Sequence, residues 1–144
     1  MIKKGCDPIR DKEQIPYIIL LTHGKWGEEL IKGTEMIIGP IKNIFSFSLF
    51  PDQPTNSFVL EVEEVLKDLP KGTIIITDLF GGTPSNLALS LKYKYNCHVI
   101  SGLDISMLIA ANELRLKFRG KELIDKIIKK SLDNCRDIGQ LLDK

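Results

Sequence analysis

The sequence predicts an α/β protein: an open, mainly parallel sheet with helices on both faces. Two observations carry that reading. Short continuous apolar runs, Tyr17-Ile18-Ile19-Leu20-Leu21 and Thr73-Ile74-Ile75-Ile76-Thr77, suit strands buried on both sides. They alternate with longer segments in which apolar residues recur every three or four positions, the period of an amphipathic helix.

The first run leads through Thr22-His23-Gly24 into a helix with Trp26, Leu30, Gly33 and Ile37 on one face. Glu28, Glu29, Lys32 and Glu35 supply its polar side, and Gly39-Pro40 stops it. Ile44 to Leu49 alternates Ile44, Ser46 and Ser48 against Phe45, Phe47 and Leu49, a strand nearer an edge. Beyond the loop Pro51-Asp52-Gln53-Pro54, a helix from Thr55 to Leu69 places Val59, Val62, Leu66 and Leu69 together, and Pro70 and Gly72 end it. The third strand is Thr73 to Thr77. Asp78 to Thr83 is a loop, with Thr83 as the expected N-cap, and Pro84 opens a third helix that runs to Tyr95. Cys97 to Ser101 forms a fourth strand, and Asp104 caps the helix after it. A last helix from Lys121 is expected to carry Ile124, Ile128, Cys135 and Ile138 on its apolar face. Right-handed crossovers restrict such a chain to a flavodoxin-like topology.

At 144 residues the chain suits one domain, read as 16–144 after a polar extension at 1–15. Apolar residues make up 43% and charged residues 27%, an ordinary globular balance. A net charge of +1 gives no general attraction to nucleic acid or to an anionic membrane. No apolar run approaches the roughly 20 residues of a membrane helix. Cys6, Cys97 and Cys135 are widely spaced and lack the paired spacing of a metal or redox site, so no metal or cofactor is expected, and the cytoplasm is the expected address.

Chemistry concentrates where two strands end. His23 closes the first and Asp78 the third; if those strands are neighbours, both side chains emerge on the sheet edge where ligands of this fold class bind. Gly81-Gly82-Thr83-Pro84 leads directly into a helix, so amides without internal partners and the helix dipole form a cradle for an anion, with the Thr83 hydroxyl beside it. A neutral imidazole is nucleophilic near pH 7, and Asp78 can hold its other nitrogen as N–H. The absence of a GxxxxGK[ST] loop argues against direct use of a nucleoside triphosphate. Each feature alone has a plainer reading: a structural histidine, a tight glycine turn, a solvated loop acid. Their joint placement favours phosphoryl transfer. His98 reads as structural, and Trp26 as packing at the core or rim.

The stretches Ile18-Ile19-Leu20-Leu21-Thr22-His23-Gly24 and Ile76-Thr77-Asp78-Leu79-Phe80-Gly81-Gly82-Thr83-Pro84-Ser85-Asn86 resemble the mannose-family enzyme IIA of the phosphoenolpyruvate:sugar phosphotransferase system. Val99 to Leu108 also looks like that family's fourth strand and following turn. The resemblance implies that His23 takes phosphate at Nε2 from phosphorylated HPr and passes it to a cognate enzyme IIB. It implies Asp78 as the histidine-orienting carboxylate, and Gly81, Gly82 and Thr83 as the phosphate cradle. Thr22, Gly24 and Asn86 complete the motifs as supporting residues. A homodimer is implied, with the membrane reached only through an enzyme IIC/IID transporter. A histidine phosphatase fits less well, because Thr22 stands where its phosphate-clamping arginine would be. A regulatory module of the same fold and a flavin- or nucleotide-binding module are the other rivals, and the latter lacks a GxGxxG loop.

Overall fold

Strand β1 (Ile18–His23) lies inside the sheet, flanked by β2 (Ile44–Leu49) on one side and β3 (Ile74–Thr77) on the other. The fourth strand, β4 (His98–Ser101), pairs with β3, giving the order β2-β1-β3-β4, parallel throughout. This computed structural model describes residues 14–143. The expected extension at 1–15 therefore lies outside the described residues except for its last two positions, and Cys6 lies outside them too. Among the described residues six helices accompany the strands: α1 (Trp26–Ile38), α2 (Thr55–Leu66), α3 (Thr83–Tyr95), α4 (Ile105–Leu114), α5 (Gly120–Asp133) and α6 (Ile138–Leu142). None of the helices is long and apolar enough to cross a membrane, among the described residues.

The continuous apolar runs divide by parity, as a pleated strand requires. Ile18, Leu20, Ile74 and Ile76 face one layer, packing with Met107, Leu108 and Ala111 of α4, Leu123 and Ile127 of α5, and Leu30 and Ile31 of α1. Ile19, Leu21 and Ile75 face the other, against Phe58, Val62 and Leu66 of α2 and Ala88 and Leu91 of α3. Each fully buried aliphatic side chain contributes about 1.5–3 kcal/mol. The two layers leave the strand ends, rather than the sheet faces, open to solvent.

Two helical faces differ from the sequence expectation. In α1 the side toward the core is Gly27, Leu30, Ile31, Thr34 and Ile38, while Trp26 and Ile37 are exposed. Gly27 explains the rotation. A Cβ there would sit 2.6 Å from Ser46 Oγ and 3.0 Å from Thr22 Cγ2, so the glycine lets the helix settle directly on β1 and β2. In α5 the buried positions are Leu123, Ile127 and Ser131, Ile128 is exposed, and the helix stops at Asp133. Cys135 is consequently exposed in a connection, and Ile138 starts α6, which Asp137 caps by accepting from the Gln140 N–H. Helix α2 is shorter than expected as well: after Leu66 the chain tightens into turn bonds, Asp68 N–H to Val65 and Leu69 N–H to Leu66. Cys97 is buried, which pushes its thiol up to about 11.

At the amino end of the sheet one side chain gathers the incoming chain. Arg115, 3% exposed, donates from Nη1 to the carbonyls of Pro16 and Asn43 at 3.0 and 3.1 Å. From Nη2 it donates to the Lys42 carbonyl at 2.6 Å and to Asn112 Oδ1 at 2.7 Å. Burial lowers its pKa to about 10, which leaves it charged at neutral pH.

Candidate functional site

The parallel register sets His23 opposite Leu49 of β2, and Leu21 opposite Thr77 of β3. The carboxyl ends of β1, β2 and β3 therefore share one edge, and the residues after each strand meet there. The first and third strands are neighbours, as the sequence argument required.

His23 is half exposed, and Asp78 beside it is 9% exposed. Oδ2 of Asp78 accepts twice from the same residue, from the His23 backbone N–H at 2.8 Å and from ring Nδ1 at 3.0 Å. Burial pushes the Asp78 carboxyl up, but these two bonds, the His23 charge and the Trp26 indole outweigh it and hold the group below its ordinary value. An ionised carboxylate only accepts, so Nδ1 must carry the proton of the neutral ring. Nε2 is then the nitrogen with a free lone pair.

That nitrogen looks toward Gly82. A Cβ on Gly82 would lie 3.1 Å from His23 Cε1 and 3.7 Å from Nε2, so bare backbone approaches the ring where a Cβ would crowd it by a few tenths of an ångström. Gly81 has φ +85°, a conformation that disfavours other residues, and it turns the chain into α3. Gly82, in an extended conformation, is the N-cap of α3. Thr83 was expected there; it is instead the first helical residue, Pro84 is the second, and the Thr83 hydroxyl makes no capping bond. The first helical bond runs from the Asn86 N–H to the Gly82 carbonyl. The amides ahead of it have no acceptor within the helix, which with the helix dipole favours an anion at this point.

The supporting residues hold the turn after β1. Thr22 is fully buried, and its Oγ1 donates to the Gly24 carbonyl at 2.8 Å. Gly24 has φ +64°, and its N–H donates to the Leu49 carbonyl at 2.7 Å. Asn86 is exposed on α3 and contributes the backbone bond just described. His98 stands apart, paired with Ile74 at the amino end of β3, where burial and then Lys92 lower its pKa. The expected site residues thus converge except for the side chain of Asn86, for which the structure gives no bond.

One part of the site escaped the sequence reading. A cleft of about 460 Å³ runs beside His23, Gly24 and Thr83 and is walled by Leu49, Phe50, Pro51, Gln53 and Thr55. The β2–α2 loop is the missed wall, and the signal for it was available: a strand parallel to β1 delivers its own loop to the same edge. Leu79 and Phe80, in the loop between Asp78 and Gly81, are exposed.

Comparisons with known proteins bear on the family of the chain and on its fold. The family model EIIA-man, described as the PTS system fructose IIA component, matches residues 17–128. The chain is 30% identical over 95 residues to the PTS system mannose-specific EIIAB component of Escherichia coli (strain K12), an overlap that covers 64% of this chain and 29% of that protein. It is 24% identical over 130 residues to the PTS system fructose-specific EIIA component of Bacillus subtilis (strain 168), covering 88% and 89%. The solved structure of phosphotransferase system component EIIA from Streptococcus agalactiae superposes with a TM-score of 0.81 at 28% identity, covering 86% of this chain and 98% of that one.

Proposed function

The chain belongs to the PTS system fructose IIA component family, and from that premise we propose that it carries a phosphoryl group on Nε2 of His23. The group is taken from phosphorylated HPr and passed to a histidine of a cognate enzyme IIB. The observation that carries this reading is the single geometry in which Asp78 occupies Nδ1 while Gly82 lies open before Nε2.

The step follows from those positions. The Nε2 lone pair attacks the phosphorus of the donor's phosphohistidine, and the donor N–P bond breaks with its electron pair returning to the donor ring. Nδ1 keeps its proton and its bond to Asp78 throughout, so positive charge developing on the His23 ring meets a fixed carboxylate. The same carboxylate repels the incoming phosphoryl oxygens. The free amides at the start of α3 and the Thr83 hydroxyl offset that repulsion. Onward transfer runs the step in reverse toward the next protein. The exchange needs no cofactor and no nucleoside triphosphate.

On this reading residues 16–144 form one enzyme IIA domain, acting in the cytoplasm as a homodimer. It reaches the membrane only through an enzyme IIC/IID transporter. The sugar is selected by those partners.

Intact-mass spectrometry at mildly alkaline pH tests the proposal, after mixing the protein with phosphoenolpyruvate, enzyme I and HPr. One acid-labile phosphate should appear, be absent from His23→Ala, and be discharged when the cognate enzyme IIB is added. No gain while HPr is demonstrably phosphorylated overturns it.

A further inference from the structure

Trp26 opens α1 three residues beyond His23 and is the only tryptophan in the chain. It is 39% exposed, too open to serve chiefly as core packing. Its neighbour Gly27 is pressed against Ser46 and Thr22, so the start of the helix is fixed against the end of β1 and the middle of β2. The indole therefore has a rigid base beside the site.

Asp78 presents a need there. Its Oδ2 is occupied by two bonds from His23. Its Oδ1 is buried without a well-aligned hydrogen-bond partner, on a side chain that is 9% exposed. A buried acceptor left so costs about 1–3 kcal/mol, and more when charged. The Trp26 indole, at the start of α1, is among the influences that hold this carboxyl below its ordinary value, and in the resting structure it forms no hydrogen bond to Oδ1. An indole nitrogen only donates, so it cannot compete with Asp78 for the proton on His23. Hydrogen bonds of this kind are often poorly aligned in a resting site and tighten as the reaction proceeds.

We propose that Trp26 is a positioning residue whose indole N–H holds Oδ1 of Asp78, so that Oδ2 stays aimed at Nδ1 of His23 while phosphate arrives and leaves. The inference rests on His23 being the acceptor. Without this donor the carboxyl either rotates or takes up a proton, since burial already favours its neutral form. Either change frees the imidazole to adopt the wrong tautomer. The titratable side chain acting on Asp78, among the described residues, is His23 from β1; α1 brings the indole.

The test uses the full chain labelled with ¹³C and ¹⁵N. The Asp78 carboxyl carbon is followed against pH, and the lone indole N–H signal assigns itself. In Trp26→Phe the Asp78 midpoint should rise by about 0.5–1 unit, and phosphoryl uptake at neutral pH should slow by about 3–10-fold. Replacing Trp26 with benzothienylalanine, which keeps the shape and removes the N–H, should reproduce both effects. In the otherwise native chain, Asp78→Asn should move the indole signal, and phosphorylation should move it downfield. An unchanged Asp78 midpoint in Trp26→Phe overturns the inference, and so does a benzothienylalanine protein that behaves as native. The titrations need no phosphate donor. Failure of His23 to accept phosphate would therefore sink the earlier reading separately from this one.

Discussion

The two ends of β1 show opposite uses of polar side chains. At the amino end, Arg115 is 3% exposed and spends four hydrogen bonds on Pro16, Lys42, Asn43 and Asn112. At the carboxyl end, His23 is half exposed and makes one side-chain bond, to a carboxylate whose second oxygen has no well-aligned partner. The first end is closed and bonded through both terminal nitrogens of the guanidinium, with only Nε left without a partner. The second is left under-satisfied and open, and that shortfall is what a nucleophile needs: one nitrogen held, the other free. One strand thus separates a stabilising end from the candidate reactive end by the length of its own apolar run, Ile18 to Leu21.

The largest test of that division is Arg115→Met. It leaves the carbonyls of Pro16 and Lys42 and the Asn112 amide oxygen short of a donor, and should lower stability by about 2–4 kcal/mol. Urea denaturation measures the loss, and phosphorylation of the remaining folded protein should proceed at the native rate. A slowed rate in folded protein would mean that the two ends are coupled and that the comparison fails.

Gly82→Ala probes the other end. Its Cβ would press on the His23 ring at 3.1 Å from Cε1, and ring atoms backed by the Asp78 bond have little room to yield. Relieving that contact takes a few tenths of an ångström, so phosphoryl uptake should fall by about 3–10-fold, less than the roughly 100-fold of a misplacement near 1 Å, with little change in urea midpoint. Single-turnover transfer from phosphorylated HPr reads the rate. Equal losses of rate and stability would show that the glycine serves the fold rather than the ring.

Much of this division was legible in the sequence. The β-branched runs bounded by turn residues gave the parallel sheet, and strand ends at His23 and Asp78 gave the candidate site, because both signals are local in the chain. What escaped was set by long-range packing. The rotation of α1 depends on Gly27 meeting Ser46, 19 positions on, which a periodicity count over Trp26, Leu30, Gly33 and Ile37 does not contain. Arg115 gave no sign of its role, since its partners lie 72 to 99 positions away, apart from Asn112. Thr83 was displaced from the cap for a local reason: Gly82 already takes the extended conformation that a cap needs, and Pro84 is tolerated at the second helical position.

The smallest expected effect bears on whether the reactive end contributes any stability at all. The Asp78 carboxyl sits below its ordinary value of 3.8 in the folded chain, chiefly because the bonds from His23 outweigh its burial. The unfolded state therefore binds the proton more readily. Stability drawn from this group is fully present above the ordinary value and is lost as pH falls through the lower folded value. Asp78→Asn should accordingly be less stable than the native chain at neutral pH, and the gap should narrow as pH falls below 3.8 and close once it has passed the lower folded value. Comparing the two proteins by urea denaturation across that range isolates Asp78, because Glu63, also lowered by Lys94 and Tyr95, is common to both. The shift at Asp78 opposes burial with a few bonds at a half-open edge, so its contribution should be smaller than that of Arg115. A contribution as large as that of Arg115 would show that the His23–Asp78 pair is built first for folding, and the contrast between the two ends of β1 would be one of exposure alone.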